Sequence, residues 1–292
     1  MAIDQARIQK AISKLGKFAA TVPKDPSPEE VHELRTNARK LEAIFGALSL
    51  DTKSSERRLL KRVRKIRRRA GRVRDLDVLT EHLAGLELEG ETKCRKRLAK
   101  HLAGERRRQA RKLHDKVSRQ CPDLDSRLQK ASRQVKRFLK KNEPEPSSLA
   151  AAHALELSAQ LEDPKRLNRE NLHPFRLKVK QLRDVLQLAP GPDSRLVDDL
   201  SEVKDAIGEW HDWEELVIVA DEVLNHSSGC KLRQKLREIR DEKYRDAAGV
   251  AEGLRKKYAE RPAKKPSRSV RISPAALSSA AALAAGYHDH DT

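Results

Sequence analysis

Aromatic residues are scarce: two Trp, three Tyr and four Phe make up 3% of a 292-residue chain. Proteins that read single-stranded RNA or DNA usually stack bases on such rings, so that mode of recognition is disfavoured. Cysteine is nearly absent too, with Cys94, Cys121 and Cys230 scattered and no CxxC pair. An odd, dispersed set fits neither a disulfide framework nor a thiolate zinc site, and a reducing cytoplasm is the expected compartment. No run of about 20 apolar residues exists, so no membrane span is expected. The opening MAIDQARIQKAISK has no apolar segment after a basic one and is not read as a secretory signal.

What the chain has in abundance is positive charge. Lys and Arg number 63 against 44 Asp and Glu, a formal net charge of +19, and the isoelectric point is about 10.0. Such an excess works against a compact state by self-repulsion. The expected compensation is a polyanionic partner: nucleic acid, an acidic membrane or a phosphate polymer.

Apolar residues recur every three or four positions: Leu34, Ala38, Leu41, Phe45, Leu48; then Leu59, Val63, Ile66, Ala70, Val73; then Leu98, Leu102, Leu113, Val117. No stretch alternates as a strand would. Proline falls between these runs, and Ser27-Pro28-Glu29-Glu30 reads as a helix N-cap followed by Pro and acids. The fold class expected is all-α. From Pro262 to Pro274 the chain turns basic, Pro/Ser-rich and aperiodic, and it ends in an Ala/Ser-rich stretch. Residues 262–292 are therefore read as a flexible tail, in which His288 and His290 are a polar end and not a metal pair.

The chain repeats itself. Val31-His32-Glu-Leu-Arg35-Thr-Asn-Ala-Arg39-Lys-Leu41 matches Leu172-His173-Pro-Phe-Arg176-Leu-Lys-Val-Lys180-Gln-Leu182. Downstream, Gly71-Arg-Val-Arg74-Asp75 matches Gly208-Glu-Trp-His211-Asp212, and a looser third block places Arg106 opposite Arg240. Three blocks in one order indicate a duplicated helical unit.

On a helix, His32, Arg35 and Arg39 fall within an arc of about 60° beside the apolar stripe. His173, Arg176, Lys180 and Arg183 do the same in the second copy. Arg67 and Arg74 border the next stripe, with Lys204 and His211 as counterparts, and Arg64 adds to that cluster. Flanking cations point towards a seam between helices, whereas solvated ones usually point away from the core. Arg106 and Arg240 interrupt an apolar spine, so each either snorkels or lines an anion cavity. Asp75 and Asp212 are read as acids that orient a neighbouring arginine or cap a turn.

These residues resemble the CHAD family, the conserved histidine α-helical domain, whose marks are a His-x-x-Arg-x-x-x-(Arg/Lys) helix and a Gly-x-x-(Arg/His)-Asp helix, each present twice. The resemblance implies a domain over 1–261, with repeats at about 5–142 and 147–261. It implies two antiparallel four-helix bundles related by a pseudo-twofold. It further implies a basic channel between them that binds inorganic polyphosphate, and association with polyphosphate granules and polyphosphate-metabolising enzymes. Asn37 and Glu42 stand where the second copy has Lys178 and Arg183, so the first half-site is the less basic there. Polyphosphate offers no bases to stack on, which suits a chain poor in aromatics. Arginine forks and lysine charges suit its oxygens, and a bound phosphate would favour protonated His32, His173 and His211.

No catalytic constellation is legible. There is no phosphate-binding Gly-rich loop, no HExxH and no Gly-x-Ser-x-Gly, and neither a cofactor nor a metal is expected. Glu89-Gly-Glu91-Thr-Lys93 matches the Glu-x-Glu-x-Lys of triphosphate-tunnel enzymes, but it lies between helices with no strands to build a barrel. The expectation is a cytoplasmic binding module, with a nucleic-acid-binding helical protein as the alternative, for which Arg62 to Arg74 and Arg106 to Arg111 would track phosphates.

Overall fold

In the computed structural model, residues 5–259 are described apart from 51–53, 89, 91, 120, 142–143, 163–165, 188–193 and 226–229. The tail at 262–292, with His288 and His290, and the acids Glu89 and Glu91 lie outside the described residues. Met1–Lys256 and Lys257–Thr292 are separate compact units, and the first holds the helices except the last residues of α9.

The described chain is helical throughout, with no strand: α1 (Gln5–Thr21), α2 (Pro28–Ala47), α3 (Ser54–Gly85), α4 (Thr92–Ser118), α5 (Cys121–Lys141), α6 (Pro144–Ala159), α7 (Arg169–Leu186), α8 (Ser194–Val223) and α9 (Lys231–Ala259). None is long and apolar enough to cross a membrane among the described residues. The two helices that carry the histidine motifs start alike. Ser27 accepts from the Glu30 N–H at 3.2 Å and Glu30 Oε2 accepts from the Ser27 N–H at 2.8 Å. Asn168 accepts from the Glu170 and Asn171 N–H groups, and Asn171 returns the bond to the Asn168 N–H at 2.8 Å. Such reciprocal capping satisfies donors that a helix start leaves open, and fixes where each motif helix begins.

Every residue of the apolar stripes read from the sequence is buried, none more than 2% exposed. In the first half α1 packs on α2 and α5, α2 on α3, and α3 on α4; in the second, α6 and α8 pack on α7. The halves meet where α2 lies on α7 and α3 on α8. Four helices were expected in the first copy, and α5 is a fifth: Leu124, Leu128, Ala131 and Val135 are buried every three or four residues along it, and it covers α1. The long helices also share a core beyond the short ones. Leu79, Leu83, Leu98 and Leu102 of α3 and α4 pack with Trp213, Leu216, Leu232 and Leu236 of α8 and α9. Burial of this much apolar side chain from both halves, at roughly 1.5–3 kcal/mol each, ties the halves together.

Candidate anion-binding site

The seam of α2 against α7 gathers cations from both copies of the motif. Arg35 and Arg39 come from α2, Arg176 and Lys180 from α7, close enough that each feels the others' charge. Burial pushes the Lys180 ammonium down to about 6, with Arg39, Arg176 and Arg35 adding to the shift. Burial likewise brings Arg39 down to about 10, helped by Arg35, Arg67 and Arg176. Asp184 alone among the neighbouring acids offsets those shifts. Cations taken out of water cost free energy unless something negative accompanies them, and here the protein supplies too little.

Arg176 is held by its own half. Its Nε donates to the Lys204 carbonyl oxygen at 3.0 Å, and its guanidinium lies flat against Gly208, where a Cβ would come within 2.5 Å of Nη2. The glycine of Gly208-Glu-Trp-His211-Asp212 thereby makes room for the arginine of the preceding helix. Burial pushes the Asp212 carboxyl up while Arg176 pulls it down, so this acid faces the arginine it was expected to orient. In the first half Arg35 reaches Asp75 at 3.2 Å instead, and a Cβ on Gly71 would meet nothing within 4 Å.

The two motif histidines differ as well. His173 sits 4.2 Å from His211, centroid to centroid, and its Nδ1 is buried without a partner. Burial, then His211, Arg176 and Lys180, push it down to about 4. His32 is exposed; partial burial followed by Arg74, Arg35 and Arg39 lowers it. Arg74 thus faces His32, and has no ion pair among the described residues.

The remaining cations are met by carboxylates. Glu42 accepts from Arg67 at 2.7 and 3.3 Å and lies 3.5 Å from Arg64, so the less basic first half-site expected from this residue is realised by neutralising two candidates. Arg183 pairs with Asp184 at 2.8 Å, and Lys204 with Asp205.

The spine arginines, expected either to snorkel or to line an anion cavity, are held by the protein's own groups. Arg106 makes three such bonds. Its Nε donates to Asp77 at 2.8 Å, its Nη2 to the Pro26 carbonyl at 2.5 Å, and its Nη1 to Asp25. Through these three of its five N–H donors it clamps the α1–α2 loop onto α3 and α4. Arg240 is likewise occupied, by Asp241 at 2.8 Å and Glu214 at 3.7 Å. Asp25, Pro26, Asp77 and Glu214 lie far away in sequence, so spine position alone did not announce them.

Among the described residues no three His, Cys, Asp or Glu side chains lie together as a metal ion would require. Two open clefts lie away from the seam, and they take in part of the Arg62 to Arg74 and Arg106 to Arg111 runs. One of about 680 Å³ runs between α4 and the end of α8, lined by Arg97, Lys100, His101, Arg108, Glu105 and Glu222 among others. Another of about 290 Å³ lies between α3 and α4.

The sequence matches the family described as CHAD domain over residues 6–224, a span that ends with α8 and its Gly-x-x-His-Asp block. No curated protein and no solved structure is found to match the chain.

Proposed function

The chain belongs to the CHAD domain family, and on that premise we propose that it binds inorganic polyphosphate at the α2–α7 seam without transforming it. One observation carries the reading: Arg35, Arg39, Arg176 and Lys180, drawn from both halves, are crowded together, and the two innermost, Arg39 and Lys180, have Asp184 as the acid that offsets their burial. Strongly shifted groups packed together mark functional sites more often than structural ones. A bound polyanion would supply the missing charge.

Arg39, Arg176 and Lys180 are half-buried, a placement that suits a slender chain of phosphates reaching in between helices. A duplex, whose phosphates sit on a broad cylinder, is better served by exposed cations. Guanidinium forks of Arg35, Arg39 and Arg176 would each take two oxygens of a phosphate, with Lys180 a point charge beside them. A cytoplasmic location, granule association and polyphosphate-metabolising partners accompany this proposal as the settings in which such a module would work.

A competition between long-chain polyphosphate and duplex DNA, at matched phosphate concentration and salt, tests it. Polyphosphate is expected to displace DNA, with an affinity that falls steeply as salt rises. Equal or tighter binding of DNA would transfer the reading to the nucleic-acid alternative.

A further inference from the structure

Helix α3 carries cations on both flanks of its apolar stripe. Arg67 and Arg74 occupy the flank turned towards α2, where Arg67 meets Glu42 and Arg74 faces His32. Lys65, Arg68, Arg69 and Arg72 fall at positions i, i+3, i+4 and i+7, on an arc roughly opposite. They span about 10 Å along the axis. Together with Lys116 of α4 they line the open groove of about 290 Å³, and all its lining side chains are cations.

No carboxylate among the described residues pairs with the cations of this groove. Arg62, Arg64 and Arg67 on the same helix are paired with Asp123 and Glu42. The five groove cations form no ion pair among the described residues. A surface built only for solubility intersperses both signs.

The second copy of the repeat provides the control. At the positions matching Lys65, Arg68, Arg69 and Arg72, α8 has Glu202, Asp205, Ala206 and Glu209, and Val250 of α9 matches Lys116. The repeat therefore folds without a cationic stripe here, and the first half has acquired one for a reason other than folding.

We infer that this groove is a second phosphate-chain site, separate from the seam, that holds a short run of consecutive phosphates. It takes the same ligand class as the seam and in that respect rests on the reading above. Its chemistry is a row of guanidinium forks and ammonium groups with no aromatic lining, which fits a polymer of phosphates and gives the bases of a single strand nothing to stack on.

Calorimetric titration of the full chain with tripolyphosphate tests the inference. The wild-type protein is expected to bind two molecules. The exposed pair of changes Arg68→Gln and Arg72→Gln should remove one of them and leave the melting temperature unchanged, while Lys180→Gln should weaken only the other. With long-chain polyphosphate, the groove variant should lower the slope of log affinity against log salt by about one to two. Unchanged stoichiometry and affinity in the groove variant overturn the second site while leaving the seam reading intact. Loss of all binding in the groove variant, with Lys180→Gln behaving as wild type, establishes the groove and removes the seam reading. A groove variant that loses duplex DNA but keeps tripolyphosphate makes this face a nucleic-acid surface and overturns the proposal.

Discussion

Arg35 and Arg176 hold the same place in two copies of one motif, yet they are used differently. Arg35 reaches out to an exposed Asp75, whereas Arg176 folds against Gly208 and donates to a backbone carbonyl. The contrast extends outward. Glu42 takes up Arg64 and Arg67 in the first half, and the matching position in the second half is Arg183. On the far flank of α3 the first half is wholly basic where α8 is acidic. The two matched sequence blocks share the charges of the motif, while the surroundings of each differ. A long polyanion passing through such a molecule would meet a tightly built half-site in the second copy and a more open one in the first.

The sharpest way to break the comparison is to remove the matched spine arginines. Arg106→Ala leaves Asp77, only 6% exposed, without its partner, and should cost about 3 kcal/mol of stability. Arg240→Ala frees Glu214, 32% exposed, and leaves Asp241, 43% exposed, still paired with Arg169, and should cost under about 1 kcal/mol. Thermal or urea unfolding measures both. Equal losses would mean that Arg106 is no clamp.

Next come the motif arginines themselves. Arg176→Ala and Arg35→Ala should each weaken polyphosphate binding by about 1.5–3 kcal/mol, the range for a charge-assisted contact. Stability separates them: Arg176→Ala strands the half-buried Asp212 and should lower the melting temperature, while Arg35→Ala leaves only an exposed Asp75. A variant that melts early yet binds normally when folded would assign that arginine to structure alone.

The pH dependence sharpens the comparison further, and moves the titrating group from where the sequence placed it. Histidines were the expected charge carriers, but burial holds His173 near 4, so it stays neutral in the free protein at pH 6. Lys180, held near 6, adds a titrating group in the window. Because its folded value lies below its unfolded one, the unfolded chain binds more protons between about pH 6 and 10. Unliganded stability should therefore rise with pH across that range, and Lys180→Gln should flatten the rise. Bound phosphate should raise the Lys180 value, so binding should be tighter at pH 6 than at pH 8 and accompanied by proton uptake. Calorimetry in two buffers of different ionisation enthalpy shows the uptake. If replacing His32 and His173 together by Gln abolishes it and Lys180→Gln does not, the assignment is reversed.

The smallest effect concerns the two glycines. Gly71→Ala sits in open helix and should stabilise the protein by up to about 1 kcal/mol with binding unchanged. Gly208→Ala gains the same helix preference but drives its Cβ against the Arg176 guanidinium, which must swing away. Stability should change little while binding weakens towards the level of Arg176→Ala. Normal binding by Gly208→Ala would show that the placement of Arg176 against the helix is dispensable.

Much of this molecule was legible before any coordinates. The spacing of Leu34, Leu41, Phe45, Leu59 and Val63 set the helices and their buried faces, because burial recurs with the local helical period. The matched His-x-x-Arg and Gly-x-x-(Arg/His)-Asp blocks set the repeat and marked Arg35, Arg39, Arg176 and Lys180. Tertiary structure decided which of those cations stand unaccompanied. Glu42 lies on a different helix from Arg67, and Asp25 and Asp77 belong to elements remote from Arg106, so no periodicity could say that they neutralise them. Only packing could tell that α2 and α7 press four cations together and strip away their water. Charge is written residue by residue, but its cost and its use depend on what the fold brings within a few ångströms.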